Sequence, residues 1–246
     1  MSGAMVNRPP RVLVLGIGNL LWADEGFGVR AAEAFQQRYH TPDYVRVMDG
    51  GTQGVYLVQE VREADLLLVF DAIDYGLPPG TLKLIEGDAV PKYLGVKKVS
   101  LHQTGFQEVL ALAEMLGDYP QQLLLIGVQP EEIEDFGGSL RPVVKAQLEP
   151  ALQQAVTYLR GQGIPVQARS RPLDIDPYAA AIGDMRRYEN ERPGPEQACR
   201  LGDGRVVWSG DYRVAYRPAD LEGRSLRVGL DQHLDSYRQS AGKQQE

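Results

Sequence analysis

Apolar and polar positions alternate along this chain in two rhythms. The runs RVLVL (11–15), YVRVMD (44–49), DLLLVFDAI (65–73), TLKLIE (81–86) and QLLLIGV (122–128) are short and read as strands. Several are apolar without alternation, as expected of strands covered on both faces of a parallel sheet. Between them lie segments with apolar residues three and four apart: EGFGVRAAEAFQQRY, TQGVYLVQEVREA behind Thr52 as an N-cap, and HQTGFQEVLALAEML. A fourth, RPVVKAQLEPALQQAVTYLRGQG, stops at glycines, with Pro150 marking a kink or the true helix start. The alternation predicts an α/β fold, a three-layer α/β/α arrangement around a mainly parallel sheet.

The rhythm fades after residue 170. Residues 1–170 form the expected α/β domain, and 171–246 an irregular extension rich in Pro, Gly and Arg. Within the extension, RVVWSGDYRVAYRP (205–218) has the pattern of a small hairpin around Ser209-Gly210-Asp211.

Composition narrows the function. A formal net charge of −7 argues against a general nucleic-acid surface. A single cysteine, Cys199, excludes an internal disulfide framework and a cysteine-built zinc cluster. No apolar run approaches the roughly 20 residues that span a bilayer. The start, MSGAMVNRPP, lacks the apolar segment of a secretory signal, so a cytoplasmic protein without membrane association is expected.

The first strand runs into GIGNLLWADEGFG (16–28), a glycine-rich turn that carries Asp24 and Glu25. It is no phosphate loop. The dinucleotide fingerprint requires glycine at 16, 18 and 21, and position 21 is Leu; the Gly-Lys-Ser/Thr of a P-loop is absent. Two acids would also repel a pyrophosphate. No G-x-S-x-G elbow is present, and Cys199 lies in the extension with no histidine near it in sequence.

In open parallel sheets functional groups collect beyond the C-terminal ends of the strands. There the sequence places Glu25 after strand one, Asp49 of DGGTQG after strand two, Asp71 of DAIDYG after strand three, and His102 of SLHQTG before a helix. Carboxylates with one imidazole suit a borderline divalent metal such as nickel, zinc or manganese. Crowded acids also raise one another's pKa and serve as general acid and base. Spacing does not choose between the two uses. Each residue has a plainer reading as well. Asp49 and Asp71 fit turn or capping positions, Asp24 and Glu25 fit the first turn of a helix, and His102 fits a core position. Asp74 beside the Gly-Leu-Pro-Pro turn reads as structural, His40 as a helix cap or a surface residue, and His233 as a surface residue.

GIGNLLWADEGFGVR, DGGTQG, FDAID, SLHQTG and LIGVQPE, in this order from about Arg11 to Gly163, closely resemble the hydrogenase maturation endopeptidases. The resemblance implies a five-stranded twisted sheet between helices. It implies removal of a short C-terminal peptide from the precursor large subunit of a nickel-iron hydrogenase after nickel insertion. It assigns metal contact to Glu25, Asp71 and His102, the metal being nickel carried by the substrate, and gives Asp49 a part in substrate recognition or activity. Either a carboxylate, Asp49 or Asp71, activates the attacking water, or the metal does. Residues beyond 170 exceed the usual family body. Of their 12 basic residues 11 are Arg, and Trp208, Tyr212 and Tyr216 cluster among them, a composition suited to holding the large subunit or another maturation factor. Two other functions share the same ligands: a non-catalytic chaperone of the nickel-loaded subunit, and a metal-dependent hydrolase of small molecules.

Overall fold

The computed structural model describes residues 8–91, 101–173 and 185–190, apart from the side chains at 101–105 and 186–187. The five apolar runs form the strands of one sheet: β1 (Val12–Ile17), β3 (Val45–Gly51), β4 (Leu66–Ala72), β5 (Leu82–Glu86) and β6 (Gln122–Val128). Their order is β3-β1-β4-β6-β5, parallel throughout except for β5, which runs antiparallel to β6. The exception follows from the link at 73–81. It holds no helix and is too short to carry the chain back to the opposite edge, so β5 starts where β4 ends. A separate ladder joins β2 (Tyr39–His40) to β7 (Gln167–Ala168), which puts the exposed His40 in a short strand just past the helix it was expected to end.

Alternate residues of the central strands enter two cores. Val12, Val14, Leu66, Leu68, Phe70, Leu124 and Ile126 pack with α1 (Phe27–Arg38) and with a later helix pair. Leu13, Leu15, Leu67, Val69, Leu123 and Leu125 pack on the other face with α2 (Val58–Glu63) and α3 (Leu101–Met115). Both faces of β1, β4 and β6 are therefore apolar, which is why their sequences show no alternation. Ion pairs such as Arg46–Glu60 and Arg38–Glu149 also link elements, but at exposed sites each contributes less than about 1 kcal/mol. Burying one Leu of β4 contributes roughly 1.5–3 kcal/mol. The strands decide the fold.

Two local expectations change, and one is resolved. The acids of ADEG lie in a separate 3-10 turn, Ala23–Gly26, and the first turn of α1 holds none. Thr52 is not a cap: the 3-10 turn Gly54–Leu57 follows Gln53 and has no side-chain cap bond. The helical run after Arg141 is two helices, α4 (Pro142–Lys145) and α5 (Leu148–Gly161). Pro150 falls in the first turn of α5, where a backbone N–H has no intrahelical partner to lose.

Within the unit Met1–Leu201, the composition-shifted stretch contributes a short helix, α6 (Met185–Asn190). Met185 packs on the α1/α5 core, and Glu189 accepts hydrogen bonds from Ser139 Oγ at 2.8 Å and Lys145 Nζ at 2.7 Å. The Tyr188 ring lies 5.8 Å from the guanidinium of the buried Arg30 on α1. The hairpin expected at 205–218, with Trp208, Tyr212 and Tyr216, and also Cys199 and His233, lie outside the described residues.

The start of α1 is pressed against the sheet. A Cβ on Gly16 would come within 2.3 Å of the Gly28 carbonyl oxygen, and one on Gly28 within 2.2 Å of the carbonyl oxygens of Ile17 and Phe70. These atoms are backbone and cannot swing aside, so the glycines exist for close packing. Gly28→Ala should destabilise the protein by about 3 kcal/mol or more, at the upper end of overpacking costs, and urea denaturation measures it.

Candidate active site at the carboxyl edge of the sheet

The loops beyond the C-terminal ends of β1, β3, β4 and β6 are tied into one assembly. Gly18 N–H donates to the Gly51 carbonyl at 3.1 Å, joining the loops after β1 and β3. Asp24 joins the loops after β1 and β6. It is fully buried, and its carboxylate accepts from the backbone N–H groups of Glu131 (2.8 Å), Glu132 (2.9 Å) and Arg141 (2.6 Å). Its own N–H donates to the Glu132 carbonyl at 3.0 Å. Gln129, at the end of β6, accepts from the N–H groups of Tyr75 and Leu77 and donates to Asp74 at 3.0 Å, fixing the loop after β4. Asp74 is structural, as its turn context suggested. Ala23, just ahead of the acids, is held at φ +38°, a left-handed conformation that costs a non-glycine residue about 1 kcal/mol or more.

This framework brings Glu25 and Asp71 together. Asp71 is 3% exposed, and its Oδ2 has no hydrogen-bond partner among the described residues. Burial pushes its pKa well above the usual carboxylate range, and the nearby Glu25 charge adds to that, against the Ala72 N–H that favours the ionised form. Desolvation and the neighbouring charge both favour the protonated form of Asp71.

Asp49 stands apart. It pairs with Gly16 across β1, while Phe70, the neighbour of Asp71, pairs with Gly16 from the other side. By strand alternation Asp49 shares the α1 face with Val45 and Val47, and Asp71 shares the opposite face with Leu67 and Val69. Although Asp49 reaches solvent, neighbouring protein strips part of its hydration and raises its pKa, while the Gly51 N–H and Arg30 pull the other way. The backbone of His102 lies in the first turn of α3, one helical repeat ahead of the buried Phe106 on the Asp71 face; its side chain is outside the described residues. The four residues expected to meet thus divide into the Glu25–Asp71 pair, the separate Asp49, and His102.

A buried acid with one free oxygen beside a second acid has two chemical uses. It holds and releases a proton, or it turns both oxygens to a divalent cation. The signals missed in the sequence belong to Asp24 and Gln129, a buried acid and a buried amide that hold backbone rather than substrate. A polar residue beside a strand end, in ADEG and in VQPE, was the visible trace.

A family model described as hydrogenase maturation protease matches residues 29–158. The chain belongs to the hydrogenase maturation protease family. As a member it is a peptide-bond hydrolase. It is 60% identical over 215 residues to the hydrogenase expression/formation protein HupD of Thiocapsa roseopersicina, covering 87% of this chain and 97% of that one. It is 44% identical to the hydrogenase 2 maturation protease of Escherichia coli over 63% of this chain and 93% of the other. Among solved structures, the hydrogenase maturating endopeptidase HybD of E. coli superposes with a TM-score of 0.62 and 42% identity, covering 65% of this chain and 98% of its own. Wherever the 215-residue match to HupD begins, it runs past residue 190 and includes α6. The HybD match spans only about the α/β body.

Asp24→Ala would leave three backbone N–H groups without their acceptor. A loss of about 3–5 kcal/mol in urea denaturation is expected, since bonds to a charged acceptor contribute roughly 1.5–3 kcal/mol each and are not additive. Asp71 gives the opposite sign. Its folded-state pKa is raised, so the native state binds more protons than the unfolded chain above the ordinary carboxylate pKa, and stability falls as pH rises through that window. Asp71→Asn removes the titration. The variant should unfold at higher urea than wild type at pH 8, with the advantage shrinking toward pH 4.

Proposed function

We propose that this protein is a cytoplasmic endopeptidase that removes the C-terminal peptide from the precursor large subunit of a nickel-iron hydrogenase after nickel insertion. The observation that carries the reading is Asp71, a carboxylate kept almost wholly from water with one oxygen unpartnered, beside Glu25. A protein gains no stability from such a pair, because each burial of charge costs free energy that a hydrophobic residue would not. A cation delivered by the substrate reverses that balance.

In this reading the substrate brings the nickel, and Glu25, Asp71 and His102 complete its coordination. The empty precursor offers no such contact, so loaded and empty substrates differ in affinity by the energy of those bonds. Burial and the Glu25 charge favour the protonated form of Asp71, whereas a cation brought by the substrate favours the ionised form that would bind it. Asp49, on the other side of β1 and within the field of Arg30, serves recognition of the substrate chain. The extension beyond residue 170 adds contacts to the large subunit or to another maturation factor.

The experiment is intact mass of purified precursor, nickel-loaded and nickel-free, after incubation with the protein. Loss of a C-terminal peptide from the loaded form alone is expected, and Glu25→Gln or His102→Ala should abolish the distinction between the two forms. Binding of the loaded precursor with no mass change would make the protein a chaperone. Tight binding of free metal by the isolated protein, seen by elemental analysis, would favour a small-molecule hydrolase.

A further inference from the structure

Ten large apolar side chains are exposed among the described residues, and five of them sit on the loops around the acid pair: Leu21, Val55, Tyr56, Leu77 and Phe136. Tyr56 is 84% exposed. Exposed apolar residues scattered singly over a surface need no explanation. These are not scattered. They come from four separate loops, those after β1, β3, β4 and β6, and those loops are joined by the Gly18–Gly51 and Asp24–Glu132 backbone bonds and by Gln129. Trp22 packs edge-on against Phe136 with ring centroids 5.3 Å apart, and Gly137 N–H donates to the Leu21 carbonyl at 2.7 Å, so the tips after β1 and β6 are held as one surface. The same loop carries the acids Glu131, Glu132 and Glu134 close to Phe136, while Asp135 is paired with Arg141 at 2.9 Å.

We infer that these loop tips form a docking rim for the folded precursor large subunit, engaging an apolar patch flanked by Lys or Arg next to its C-terminal segment. The inference rests on the proposed function for the identity of the partner. The rim itself follows from geometry. Asp71 lies buried at the base of the loops, so a peptide bond carried by a folded protein reaches it only when that protein rests against the tips. The rim is continuous with the site, and its acidic flank sets the complementary charge. Exposed aromatic side chains on a rigid support are the anchors that dominate protein interfaces. Specificity for one large subunit then resides partly in Leu21, Tyr56, Leu77 and Phe136, away from the reacting bond.

The test uses the full chain and separates docking from nickel recognition by measuring two quantities. The first is the Kd for nickel-free precursor, which engages the rim but offers no metal. The second is kcat and KM for processing of nickel-loaded precursor. Leu21→Ser with Tyr56→Ser alters only exposed side chains and should leave the urea midpoint unchanged. It should raise Kd and KM by about tenfold or more with kcat retained. Met115→Ser changes an equally exposed residue at the far end of α3 and should move neither quantity. A Kd and KM for the double variant within about twofold of wild type, or an equal loss in Met115→Ser, would overturn the rim. Should wild type cleave nothing yet bind nickel-free precursor through Tyr56, the proposed function falls and the rim stands.

Discussion

The rest of this structure depends on the contact between the first helix and the ends of β1 and β4. At Gly16 and Gly28 backbone meets backbone with no room for a methyl group. That contact pulls the N-terminus of α1 down onto the sheet. The connecting chain, Asn19 to Gly26, must then fold into a tight turn above it, with Ala23 in a left-handed conformation. A looser helix would relax the turn. With it would go the placement of Glu25, since the residue rides on that turn.

The two acids of ADEG, adjacent in sequence, have opposite purposes. Asp24 faces inward and spends its charge on three backbone N–H groups, the strong use of a buried carboxylate. Glu25 faces the site and meets another carboxylate, an arrangement unfavourable by itself. The first interaction stabilises the geometry that makes the second tolerable. The loop after β6 is held twice, by Asp24 from the site side and by α6 through Ser139, Lys145 and Glu189 from the other. Tyr188 of the same helix covers Arg30, whose field reaches Asp49. The match to HupD includes α6, whereas the match to HybD covers 65% of this chain.

Much of the fold was legible in the sequence. All five strands, the mainly parallel arrangement and the helices on both faces follow from apolar runs too short for helices, three of them without alternation. The limits lay where one residue's role depends on a distant segment. Thr52 has the chemistry of a cap, yet the backbone begins its turn a residue later. The Asp24 and Gln129 roles were invisible because their partners lie 107 or more and 52 or more residues away. The site was legible as a set of residues at strand ends, since chain direction alone puts them on one edge.

What the sequence determined by itself was the periodic apolar content, and through it the sheet, its layers and the edge where the acids gather. Pairing them was left to tertiary structure. Asp49 and Asp71 each stand at the end of a strand, and strand position alone does not distinguish them. They diverge because β1 lies between their strands and because the pleat turns one toward α1 and the other away. Asp71 alone is sealed from water beside Glu25, and desolvation, which depends on everything packed around a group, gives it a chemistry that Asp49 does not share.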